Sequence, residues 1–238
     1  MYSSTLEAPV LLLGSAHVVD LSGPLRRILS ERVLDAIAVE LDAERAQSLM
    51  SPDGPRRRSG SAPLFAKMWG LIQRRLGSEI GDVVPGAEMK VAIGVAQERR
   101  LPVFLIDDPL RMTLANLVRS MSFKERVMLL VSGTVGLFLP SRIVTREMDR
   151  YSESPKEYTD ELRRASPTMA RVLLDDRNEH MADRLTSLRQ QGYRRMAVVL
   201  GDAHIEGLRT ALGRRGLPSE VVRFSELRTV TAPSPGSS

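Results

Sequence analysis

Two of the three histidines in this 238-residue chain lie in the same local sequence pattern, one near each end of the chain. Each follows a short apolar run and a glycine, in the stretches Leu11–His17 and Val198–His204, and both stretches end in Gly-x-Ala-His. An apolar run that ends in glycine is typical of a buried strand followed by a tight turn. If the two strands are neighbours, His17 and His204 meet at the sheet edge where ligands bind. Paired imidazoles are suited to a metal ion or to acid–base chemistry near neutral pH.

Three other ionisable residues are candidates for the same site. Glu40 ends a second apolar run, and in a parallel sheet it emerges at the same edge as His17. Glu88 is predicted in the first turn of a helix, where the helix dipole alone would favour a carboxylate. Arg177 lies inside a long predicted helix, where an arginine is more often an ordinary surface charge. The third histidine, His180, is predicted to be an exposed helix residue rather than a ligand.

The elements that must position these residues alternate between strands and helices, which indicates an α/β fold with a central parallel or mixed sheet flanked by helices. Strands are predicted at about 9–13, 35–40, 101–107, 195–200 and 219–224. Helices are predicted at about 23–32, 42–50, 64–76, 85–99, 111–120, 122–137, 155–165, 168–190 and 204–214, with an irregular loop at 51–63. We expect one domain over 1–228, a helical insertion at about 111–190 between the two histidine-bearing strands, and a disordered tail at 229–238.

The composition excludes several classes of protein. The chain has no cysteine, so disulfides, thiolate metal sites and cysteine nucleophiles are excluded. The net charge of +5 is spread among interleaved acidic residues and few aromatics accompany it, so no nucleic-acid partner is expected.

The N-terminus has no basic region before its first apolar run, which favours a cytoplasmic location. The most apolar stretch, Val127–Leu139, is too short to span a bilayer, and we expect it to be buried in the protein or in a homodimer contact. The alternative that this stretch contacts a membrane surface stays open.

Together, these motifs resemble the TraB/PrgY family in type and order. They are, in chain order, Gly14-Ser-Ala-His17, Ala38-Val-Glu-Leu-Asp42 followed by Arg45, Gly86-Ala-Glu-Met89, Val103-Phe-Leu-Ile-Asp107, Arg177 with Met181-Ala182, and Gly201-Asp-Ala-His204 followed by Gly207. The family includes inhibitors of bacterial peptide sex pheromones and is similar to the TIKI metalloproteases. More distant similarity extends to erythromycin esterases and to the haem-binding ChaN proteins.

The resemblance implies that the two GxxH strands are adjacent, and that His17, Glu40, Glu88, Arg177 and His204 line one cleft. One departure lies after the third strand, where family members usually carry Asp-Arg. This chain has Asp107-Asp108-Pro109 instead, and Arg111 is the candidate replacement for the missing arginine.

The leading hypothesis is a metal-dependent hydrolase of peptide or amide bonds, acting on a peptide or small-molecule substrate. A divalent ion such as zinc, manganese or cobalt would be held by His17, His204, Glu40 and Glu88. One glutamate would serve as general base, and Arg177 would stabilise the oxyanion or hold a substrate carboxylate. Two alternatives stay open. One is a metal-free hydrolase in which His17 activates water and Glu40 orients it. The other is a non-catalytic protein that sequesters a peptide or small ligand.

Overall fold

A computed structural model describes residues 8–15, 21–51, 86–126, 155–223 and 226–227. Within them, five strands form one sheet in which every pair of neighbours is parallel: β1 (Val10–Ser15), β2 (Ala36–Val39), β3 (Val103–Leu105), β4 (Met196–Gly201) and β5 (Ser219–Val222). Their order across the sheet is β3-β2-β4-β1-β5. The predicted α/β fold is confirmed, and the sheet is parallel.

The two GxxH strands are neighbours, as the resemblance implies. β1 pairs with β4 in a register that places Gly14 beside Leu200 and Ser15 beside Gly201. All of β1 and the first five residues of β4 are buried, which explains why both sequences read as continuous apolar runs.

Helices cover both faces of the sheet. One face packs against α1 (Ser22–Glu31) and α3 (Ala87–Glu98), and α2 (Ala43–Met50) follows β2 with Asp42 as the predicted N-cap. The other face packs against α7 (Asp176–Gln190) and α8 (Asp202–Arg214). Strand residues alternate between the two layers, so that Leu11 and Leu13 face the first and Leu12 the second.

The predicted helix at 168–190 is interrupted near its start. The structure has α6 (Pro167–Ala170), a π-helical segment (Arg171–Asp175) and then α7. Before them lie α4 (Leu110–Ser120) and α5 (Pro155–Ala165), close to the predicted bounds. A π segment changes the direction in which the following side chains point, and such segments are frequent at functional sites.

Several predicted elements begin or end at other residues in the structure, and three of these differences bear on the site. The third strand was predicted at 101–107 but is only Val103–Leu105, because Pro102 has no N–H for the sheet and the chain turns after Ile106. β1 begins at Val10 and extends to Ser15 rather than ending at 13. α8 begins at Asp202 rather than at 204, which places His204 in the first turn of a helix.

Several predictions lie outside the described residues. They are the loop at 51–63, the helix at 64–76, most of the helix at 122–137 with Val127–Leu139, and the tail at 229–238. The limits of the single domain stay a prediction. Among the described residues, no helix is both long and apolar enough to cross a membrane.

Candidate functional site

The candidate site lies at the carboxyl ends of β2 and β4. The chain leaves β1 and β2 over the face that α1 and α3 cover, whereas it leaves β4 over the face of α8. Neighbouring strands whose connections leave to opposite faces form a topological switch point, which is where open α/β sheets bind ligands. β4 is therefore flanked by such a point on each side.

Glu40 is the first residue after β2, and its carboxylate lies over the end of β4. Its side chain is buried, and Oε2 accepts a hydrogen bond of 2.7 Å from the backbone N–H of Gly201. Oε1 accepts a hydrogen bond from Nη2 of Arg177. Burial alone would raise the pKa of the Glu40 carboxyl, but the Arg177 guanidinium and the Gly201 N–H hold the pKa below its usual value. The carboxylate is therefore ionised at neutral pH.

Arg177, in the first turn of α7, has a partner for each of its five N–H groups. Nε and Nη2 donate to the two oxygens of Asp107 at 2.9 and 2.6 Å, and Nη2 also donates to Glu40. Nη1 donates to the carbonyl of Leu173 in the π segment and contacts Nε2 of His204, both at 3.1 Å. Burial alone would lower the pKa of this guanidinium, but Glu40 and Asp107 raise it above its ordinary value. Because guanidinium has five donors, none is left for a substrate unless one of these bonds breaks.

His204 is held through both ring nitrogens. Its side chain is buried, with Nδ1 2.9 Å from Oδ1 of Asn178 and Nε2 3.3 Å from Oε1 of Glu40. An arginine can only donate, so the contact with Arg177 requires Nε2 to accept and places the ring proton on Nδ1, facing Asn178. Burial, followed by the charge of Arg177, lowers the pKa of the imidazole, against an opposite effect of Glu40. The ring is therefore neutral at pH 7.

A chain of alternating charges extends the site along α2. Asp107, which follows β3, binds Arg177 on one side and Nη2 of Arg45 on the other. Arg45 in turn donates from Nε to Asp42 at 2.8 Å. Asp107 and Arg45 both belong to the quoted motifs, but neither was predicted as a site residue. Arg111, the candidate replacement for the missing family arginine, is 72% exposed and pairs instead with Glu44.

Of the predicted site residues, the structure brings Glu40, Arg177 and His204 into contact. Glu88 is buried in the first turn of α3, at the same edge of the sheet but in the opposite helical layer. His17 lies outside the described residues, two positions beyond Ser15 at the end of β1. His180 is partly exposed, and its Nδ1 lies 3.3 Å from Asp108, apart from the buried cluster.

Sequence reasoning missed Asn178, which directly follows Arg177. It is 3% exposed in the first turn of α7, where a buried asparagine needs a specific hydrogen-bond partner. The available signal in the sequence was its position directly after Arg177.

Comparison with known proteins agrees with this arrangement of motifs. A family model described as the TraB/PrgY/gumN family matches residues 4–217. The chain is also 31% identical, over 221 residues, to an uncharacterized protein, MJ1365, from Methanocaldococcus jannaschii, and the match covers 87% of this chain. It covers 54% of that relative, so the chain spans about half of the relative's length. The fold, the order of the motifs and the match over most of the sequence all agree, and the chain belongs to the TraB/PrgY/gumN family.

Proposed function

We propose that this chain hydrolyses a peptide or related amide bond at the cluster of Glu40, Arg177 and His204. One observation carries the proposal. Oε1 of Glu40 and Nε2 of His204, an ionised carboxylate oxygen and an unprotonated ring nitrogen, lie 3.3 Å apart at the edge of the sheet that binds ligands. Membership of a family that is similar to metalloproteases supports the choice of reaction.

A divalent cation, zinc, manganese or cobalt, is part of the proposal. The donor chemistry fits, because imidazole nitrogen and carboxylate oxygen are ligands of such ions, and ligand atoms about 3.3 Å apart suit tetrahedral bonds of about 2.0–2.1 Å. Within the described residues, no group of three histidine, aspartate or glutamate side chains is arranged to hold a metal. In the proposal His17 therefore completes the set with His204 and Glu40. When bound, the cation would lower the pKa of a water molecule and polarise the scissile carbonyl.

The residues of the chain divide the remaining work. Arg177 keeps Glu40 ionised and holds it beside His204, so its first role is to position these two groups. In the proposal Glu88, the second predicted glutamate, would take a proton from the attacking water and return it to the leaving amine. The new C–O bond replaces the C–N bond, and no redox partner is required. For Arg177 to stabilise the oxyanion, it must first release one of the hydrogen bonds that its guanidinium makes.

A metal-free hydrolase is the second candidate, and a different observation favours it. The guanidinium of Arg177 already donates to Oε1 of Glu40 and to Nε2 of His204, the two atoms that a cation would need. The buried positive charge of such a site would then be the arginine itself. His17 would act as general base, with Glu40 orienting it.

Turnover of a peptide pool, read by mass spectrometry before and after chelation, distinguishes the candidates. We expect loss of turnover with a chelator and recovery with Mn²⁺, Co²⁺ or Zn²⁺. His204→Ala and Glu40→Gln should each suppress turnover, whereas His180→Ala and the exposed Glu31→Gln are matched controls that should not. Turnover that survives exhaustive chelation would establish the metal-free version. Saturable peptide binding without product would contradict both and favour a sequestering protein.

A further inference from the structure

Asn178 and Gly207 pack against each other next to the imidazole of His204. Asn178 lies on α7, and its Oδ1 is 2.9 Å from Nδ1 of His204 on α8. Gly207 lies three residues after His204, on the same side of α8. A Cβ atom at Gly207 would lie 2.1 Å from Nδ2 and 3.0 Å from Cγ of Asn178, far inside contact distance. The amide of Asn178 therefore fills the space that a side chain at position 207 would need.

We propose that Asn178 is a positioning residue that fixes the orientation and tautomer of His204, and that Gly207 provides the room for it. Nδ1–H donates to Asn178 Oδ1 while Nε2 accepts from Arg177, so two consecutive residues of α7 hold opposite sides of the ring. The ring cannot rotate or exchange tautomers without leaving a buried polar group without a hydrogen-bond partner.

The consequence is that Nε2 stays unprotonated, with Nη1 of Arg177 at 3.1 Å and Oε1 of Glu40 at 3.3 Å. A histidine that binds a metal or accepts a proton through one nitrogen commonly donates its other N–H to such an outer partner, which sets the tautomer. Asn178 supplies that partner here. The inference depends on the proposed role of His204, but the state of the ring can be measured without any substrate.

The test is NMR of the full chain labelled with ¹⁵N-histidine. The chain has only three histidines, so spectra of His17→Ala and His180→Ala assign the His204 signals. We expect a hydrogen-bonded Nδ1 proton and an unprotonated Nε2 in the wild type. Asn178→Ala should lose the protected Nδ1 proton signal and the single tautomer pattern.

Gly207→Ala should also lose the protected Nδ1 proton signal of His204, although Asn178 itself is unchanged in this variant. Gly213→Ala is the matched control, because it makes the same change on the same helix where a Cβ meets nothing within 4 Å. Circular dichroism confirms that each variant is folded.

Two results would overturn the inference: a wild-type ring protonated on Nε2, or an unchanged pattern in Asn178→Ala. If Asn178→Ala does not fold, an unchanged His204 pattern in Gly207→Ala would overturn the inference in its place. The expected ring pattern in a protein that turns over no peptide would leave this inference intact and contradict only the proposed function.

Discussion

Replacing Arg177 with methionine tests whether this guanidinium is the charge that holds the buried cluster together. The side chain is 15% exposed, and it neutralises Glu40 and Asp107, which are 9% and 1% exposed. Methionine keeps much of the length of the side chain and removes all five donors. Two buried carboxylates would then face each other, with Arg45 as the remaining cation on the Asp107 side.

We expect Arg177→Met to lower the free energy of unfolding by about 3–5 kcal/mol, the cost of removing one partner from a buried ion pair. This is a large share of the roughly 5–15 kcal/mol that stabilises an ordinary domain. Without the guanidinium, the pKa values of Glu40 and Asp107 in the folded state rise. The folded variant then binds protons more readily than the folded wild type. The difference in the free energy of unfolding between wild type and variant should therefore shrink as the pH falls from 7 towards 5.

The assay is urea denaturation followed by circular dichroism at both pH values. The matched control is Arg163→Met, because Arg163 binds Asp175 through two hydrogen bonds of 2.7 Å, yet the pair is 43% and 41% exposed. An exposed pair of this kind contributes about 0–1 kcal/mol. Arg177→Lys keeps the charge without the planar fork and should fall between the wild type and Arg177→Met. Equal losses in Arg177→Met and Arg163→Met, or a deficit that grows at pH 5, would refute the reasoning.

Further predictions concern packing and acid stability. Gly14→Ala should destabilise the protein by about 1–3 kcal/mol in thermal unfolding, because its Cβ would lie 2.2 Å from Oδ1 of Asp202. Gly94→Ala, inside α3 with nothing within 4 Å, should instead stabilise it by up to about 1 kcal/mol. Burial would raise the pKa of Asp107, but Arg177 and Arg45 hold it low, so its contribution is present above about pH 3.9 and is lost as the pH falls through the folded-state value. In acid titrations followed by circular dichroism, Asp107→Asn should make stability fall less steeply below pH 4, and an unchanged slope would contradict this.

The strands of the sheet could be predicted because a strand that is buried on both faces has apolar residues at almost every position. The runs at Val10–Ser15 and Met196–Gly201 are apolar at almost every position, and each ends in a small residue. The resemblance to the TraB/PrgY family correctly implied that the two strands are neighbours. Glu40 was correctly predicted at the carboxyl edge of the sheet, because it directly follows an apolar run.

The rest of the cluster depends on contacts that no local pattern records. Arg45 looks like an ordinary first-turn residue beside Asp42, and only the tertiary fold brings Asp107 and Arg177 to it. The π segment was missed because the apolar spacing at 171–175 is compatible with a continuous α-helix. Asn178 was missed because its partner, His204, lies on a different helix.

The order of strands across the sheet also has a consequence for how the chain is made. Both neighbours of β1 in the sheet, β4 and β5, come from the last part of the described sequence, whereas β2 and β3 can pair early. During synthesis the Val-Leu-Leu-Leu segment therefore emerges before the other four described strands, and its two partners are the last of them to be made. Closing such a long loop slows folding, and an unpaired apolar strand is prone to associate with other chains in the meantime. We expect truncation before Met196 to yield a product that aggregates or remains bound to chaperones, with the candidate site formed only after the final strands are added.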